Sequence, residues 1–130
     1  MLGDGTSPLY VVETSVMPLG ASSGNVAAAT ASATLTPTAT RTAYIKGFEL
    51  TGAGATAASV IVGTITGLAV GTKSFVIAIP AGATTSITPL VVEFSQPLVA
   101  SGPGVAIVVS FPTFGAGSTN ACVNAHGFQL

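Results

Sequence analysis

Residues 52–71, GAGATAASVIVGTITGLAVG, run for twenty positions without a charge, in a chain whose mean hydropathy is +0.76. Twenty such residues match the length of a membrane-spanning helix, so the stretch either crosses a bilayer or belongs to a sheet. Its side chains favour the sheet. Six of the eight residues 60–67 are β-branched, stiff at χ1 and suited to a pleated surface. The segment also alternates, with Val60, Val62, Thr64 and Thr66 on one face and Ile61, Gly63, Ile65 and Gly67 on the other. No Trp, Tyr, Lys or Arg lies within its ends to anchor a spanning helix, and Lys73 stands just beyond. The expectation is a strand and no membrane partner.

The same alternation recurs. Residues 26–36 interleave Ala27, Ala29, Ala31, Ala33 and Leu35 with Ala28, Thr30, Ser32, Thr34 and Thr36. In 42–51, Tyr44, Lys46, Phe48 and Leu50 are expected on one face and Ile45, Gly47, Glu49 and Thr51 on the other. Residues 73–79 set Phe75, Ile77 and Ile79 against Ser74, Val76 and Ala78. Runs at 9–13, 87–94, 105–111 and 119–129 complete the series, and turn signals at 36–38, 52–54, 71, 80–82, 95–97, 101–104 and 115–117 separate them. Seven or eight strands at such spacing imply an all-β fold, an antiparallel β-sandwich of jelly-roll type. The repeated Gly-Ala-Gly and Gly-Ala-Thr triplets reuse one turn chemistry, because no fixed period joins them.

A chain of 130 residues suffices for one domain. Residues 14–25, TSVMPLGASSGN, read as an arm, giving an N-terminal strand and arm over 1–25 and a single sandwich over 26–130. Leu9, Tyr10, Val11 and Val12 form an apolar, β-prone run, and with Met17 they are the candidate partner contacts. Such a run can add to a neighbour's sheet edge or close the chain's own sheet.

Chemistry is sparse. The seven charges are Asp4, Glu13, Arg41, Lys46, Glu49, Lys73 and Glu93, and a net charge of −1 gives no reason to expect nucleic acid as a partner. The single cysteine, Cys122, shares a strand face with Asn124 and the single histidine, His126, but four residues of strand separate the two by about 13 Å. Neither a nucleophilic pair nor a metal set follows, so no metal and no cofactor is expected. Glu49 and Glu93 could in principle form the two carboxylates of a glycosidase; solvated charges, or a pairing with Lys46 or Arg41, are the ordinary expectation. The Gly-Ala loop at 52–57 leads into another strand, which removes the context a dinucleotide loop requires. No catalytic set emerges, so the chain reads as a non-enzyme. Few charges mean little repulsion between copies, which favours association.

The run TATRTAYIKGFELTGAGATAASVIVGTITGL, then FVIAIPAG, then LVVEFSQPLVASGPGVAIVVSFPTFGAGSTNACVNAHGFQL resembles small virion proteins of tailed bacteriophages, of the head decoration (cement) type. The resemblance covers 36–130 and rests on TAYIKGFE opening a strand, the Gly-Ala loop, PAG, the EF and PL of one turn, VAIVV and AHGF. It implies a jelly roll or related sandwich and a homotrimer bridging subunits of the major capsid protein on the capsid exterior. The arm, outside the resemblance, would then supply the capsid contact. The alternative is a receptor- or carbohydrate-binding module of a tail or fibre. Sugar binding usually wants exposed aromatics beside polar groups, and the chain has no Trp and two Tyr.

Overall fold

The computed structural model describes residues 16–117 and 119–130. Its strands are β1 (Met17–Ser22), β2 (Val26–Ala27), β3 (Ala31–Leu35), β4 (Ala43–Ala53), β5 (Ser59–Thr66), β6 (Lys73–Ile79), β7 (Leu90–Val99), β8 (Ile107–Phe111) and β9 (Asn120–Gln129). The innermost hairpin is β5–β6, turned through residues 67–72, where Gly67 (φ 87°) and Gly71 (φ 89°) occupy the left-handed region that favours glycine. Around it the pairs nest outward: β4 with β7, β3 with β8, β1 with β9, all antiparallel. The chain is thus one long two-stranded ribbon rolled on itself. Rolling adds the pairs β4–β9 and β5–β8 and yields two sheets, β1-β9-β4-β7 with β2 beside β9, and β3-β8-β5-β6. That is the strand order of a jelly roll, so the expected antiparallel β-sandwich is the fold.

Alternation buries one face of each sheet. Ala31, Ala33 and Leu35 of β3, Ile61 and Ile65 of β5, and Ile107, Val109 and Phe111 of β8 face Ala43, Ile45, Phe48 and Leu50 of β4 and Ala121, Val123 and Ala125 of β9. Phe48 joins the sheets: its ring meets Phe75 edge-on at 5.1 Å and Phe111 at 5.9 Å. Contacts of β3 with β1 and β9, and of Phe48 with Phe75, set the order of stacking. The β3 edge lies over β1, and the β6 edge lies on the β7 side.

In four places the structure departs from expectation. Within 42–51 the alternation reverses, because Lys46 forms a β-bulge between Ile45, opposite Gly127, and Gly47, opposite His126. One extra residue changes the parity, so Ile45, Phe48 and Leu50 point inward while Tyr44, Lys46, Glu49 and Thr51 point outward. The arm expected at 14–25 is, from Met17 to Ser22, strand β1 in full register with β9, so the sandwich starts earlier than residue 26. Residues 26–36 do not form one strand. Ala28 turns at φ 51°, and the chain passes from β2 beside β9 into β3 of the other sheet. The turn expected at 95–97 lies inside β7, where residues 94–97 face Lys46 alone. Pro97 is tolerated there because β7 is an edge strand.

Candidate interaction surfaces

The two outer faces of the sandwich differ sharply in charge. On the β1-β9-β4-β7 sheet, β9 presents Asn120, Cys122, Asn124, His126 and Phe128, β4 presents Tyr44, Lys46, Glu49 and Thr51, and β7 presents Val91 and Glu93. Register aligns them in rows. Phe128 lies opposite Tyr44, and their rings stack at 4.9 Å with 10° between planes. The next row is Gly20, His126, Gly47 and Glu93. His126 Nε2 reaches Glu93 Oε2 at 2.7 Å over the side-chain-free Gly47. Glu93, expected to be solvated or paired with Lys46 or Arg41, stays largely exposed and meets His126. Glu49 lies opposite Val91, diagonal to Glu93, which puts both carboxylates on an open sheet surface.

The outer face of the β3-β8-β5-β6 sheet carries no charge. Ser32, Ser110, Thr64 and Ser74 form a hydroxyl row across all its strands, with Ser32 Oγ donating to Ser110 Oγ at 2.9 Å. Next to it Val62 faces Val76 and Val60 faces Ala78. These valines are exposed, Val60 by 65%, Val62 by 49% and Val76 by 72%. Solvent-facing valines in register on adjacent strands form a continuous apolar patch, unlike scattered single residues. Lys73 starts β6 on the opposite parity.

Beside this patch, β6, the start of β5 and the segment leading into β7 border an open groove of about 930 Å³, lined among others by Val60, Val76, Ile77, Ile79, Pro89 and Leu90. None of the described residues that line it is charged. A smaller hollow of about 290 Å³ lies at the C-terminal end of β4, between Gly52 and Cys122.

Of the sequence-stated contacts, Leu9, Tyr10, Val11 and Val12 lie outside the described residues, and Met17 opens β1 opposite Gln129, 41% exposed. Cys122 and His126 share the outward face of β9, as spacing implied, but each has another neighbour: Ser22 Oγ at 3.8 Å from Cys122 Sγ, and Glu93 for His126. Among the described residues no three His, Cys, Asp or Glu cluster so as to hold a metal, and no helix is long and apolar enough to cross a membrane. The charge asymmetry between the faces and the groove at β6 were missed in sequence. Both depend on which strands become neighbours, which alternation within a strand does not encode. No protein family matches the chain, and no curated protein or solved structure matches it either.

Proposed function

We propose that the protein is a structural component of a phage head, a decoration protein whose copies associate as a trimer and bridge subunits of the major capsid protein on the capsid exterior. The observation that carries this reading is the uncharged outer face of the β3-β8-β5-β6 sheet, where Val60, Val62 and Val76 stand exposed beside a hydroxyl row. Covering such a face releases water from apolar surface without stripping hydration from any ion. Of the charged strand residues, Lys46, Glu49 and Glu93, with His126, stay on the opposite face, and Lys73 opens β6 on the parity opposite to the valines. The mechanism is mechanical: a sibling covers the neutral face, and the assembled copies hold adjacent capsid subunits together against internal pressure. The jelly roll is compatible with this role, and fold alone does not assign it. The test is co-sedimentation of the purified protein with capsids assembled from the major capsid protein alone. Saturable binding supports the proposal, and failure to bind at micromolar concentrations removes the capsid role.

One observation favours a second reading. The stacked Tyr44–Phe128 pair lies beside His126 and Glu93 on an open sheet, an arrangement of ring faces and hydrogen-bonding groups that suits a sugar. A receptor- or carbohydrate-binding module would show a specific glycan on an array, and Tyr44→Ala would abolish that signal.

A further inference from the structure

We infer that the free edge of β6 takes residues 9–12 of a second copy of this chain as an added strand. The inference rests on the self-association proposed above and names the contact that completes it.

The edges of the sandwich are unequally protected. Strand β1 carries Pro18 and Gly20, β7 carries Pro97 and Glu93 with its four-residue irregularity, and β3 is five residues long and lies against β1. Prolines, charges, bulges and short length are the usual means of blocking strand addition. From Ser74 to Ile79, β6 has none of them, and among the described residues it pairs only on its β5 side. An added strand would lie along the 930 Å³ groove, where its alternate side chains meet Ile77, Ile79 and Leu90 on one side and Val76 on the other. Residues 9–12 and the described residues of the groove are all uncharged, so their docking buries no ion.

The occupant follows from reach. Five steps of about 3.4 Å let Val12 stand no more than about 17 Å from Met17. Within one chain, β1 and β6 are opposite corners of the sandwich, three strand spacings and one sheet spacing apart. At about 4.8 Å and 10 Å for those spacings, the straight line is already about 17 Å and runs through the core. The path around the outside exceeds what the segment spans, so its own β6 is beyond reach and a neighbour's is not. Area points the same way. The neutral sheet face measures about 20 Å by 20 Å, roughly half of the ~800 Å² that each partner of a stable pair contributes. An exchanged strand supplies the remainder. In the trimer proposed above, each copy gives a segment to one neighbour and receives one from the other, a heterologous contact that three copies close as a ring.

The test uses full-length protein in a Cys122→Ser background. One preparation carries Cys at each of positions 9–12 in turn, and the other carries Ala78→Cys. Mixed and mildly oxidised, the two should give disulfide-linked heterodimers, with yields falling to background when Val91→Cys on the far face replaces Ala78→Cys. Independently, β6 amides should exchange at least ~10-fold faster in full-length Val11→Pro than in wild type, since proline cannot pair there. Absence of selective cross-linking, or unchanged β6 exchange in Val11→Pro, overturns the inference. Cross-linking in a protein that ignores capsids would leave the strand exchange standing and remove the capsid role. Capsid binding without cross-linking would do the reverse.

Discussion

His126 and Glu93 sit on strands that do not touch, and their side chains meet over the strand between them: Nε2 to Oε2 is 2.7 Å across Gly47 of β4. A Cβ at Gly47 would land on Glu93 Oε2 and on the Val92 carbonyl. Gly47→Ala should therefore destabilise the fold by about 1–3 kcal/mol, as overpacking does. Gly20→Ala in the same row should be near neutral, since its Cβ would find nothing closer than the Ala125 carbonyl at 4.0 Å. Urea unfolding of both variants checks this, and equal midpoints would contradict it.

The contact between His126 and Glu93 is itself worth little. Its side chains are 45% and 58% exposed, so solvent screens them. Glu93→Gln should cost under about 1 kcal/mol in the same unfolding experiment. A larger loss would mean that the pair fixes the bulge at Lys46 instead of resting on it.

Phe48 is fully buried and touches rings from both flanking strands of the opposite sheet. Phe48→Ala should cost about 3–5 kcal/mol. Val70→Thr, in the turn between β5 and β6 with Val70 67% exposed, should stay within about 0.5 kcal/mol. Thermal unfolding with calorimetry distinguishes the two.

Much of this fold is legible in the sequence, and the failures share a cause. Ile61 and Ile65, or Ala31, Ala33 and Leu35, reveal their buried face because nothing interrupts the period of two. Phe48 and Leu50 are read onto the wrong side relative to Ile45, because the bulge at Lys46 is set by pairing with a strand some eighty residues away and leaves no mark in TAYIKGFELT. The turn signal at 95–97 is real as an irregularity, but β4 holds the chain on both sides of it, so β7 continues. Residues 17–22 look like an arm because proline, glycine and serine make up half of them; register with β9 makes them a strand. The surfaces were less legible than the core. Cys122, Asn124 and His126 on one face follow from parity, whereas His126 with Glu93, and Val62 with Val76, follow only from topology.

A charge placed on the neutral face should dissolve the assembly without touching the core. Val62→Lys points outward opposite Val76, so circular dichroism should stay unchanged while native mass falls to that of one chain. Glu49→Lys on the other face should leave the mass as it was. An assembly indifferent to Val62→Lys would place the contact elsewhere.

Capsid binding by a chain with seven charges in all should depend weakly on ionic strength, because few contacts are screened. Between low and high salt the affinity measured by co-sedimentation should change by less than about threefold. A steep fall with salt would point to the charged face around Lys46, Glu49 and Glu93.

Native mass of the full-length protein, by size-exclusion chromatography with light scattering in detergent-free buffer, tests the central claim most directly. Association through the neutral face predicts a single species at about three times the 12.6 kDa of one chain, stable on dilution. A monomer at every concentration would contradict it and leave the exposed valines without the partner that the account assigns to them.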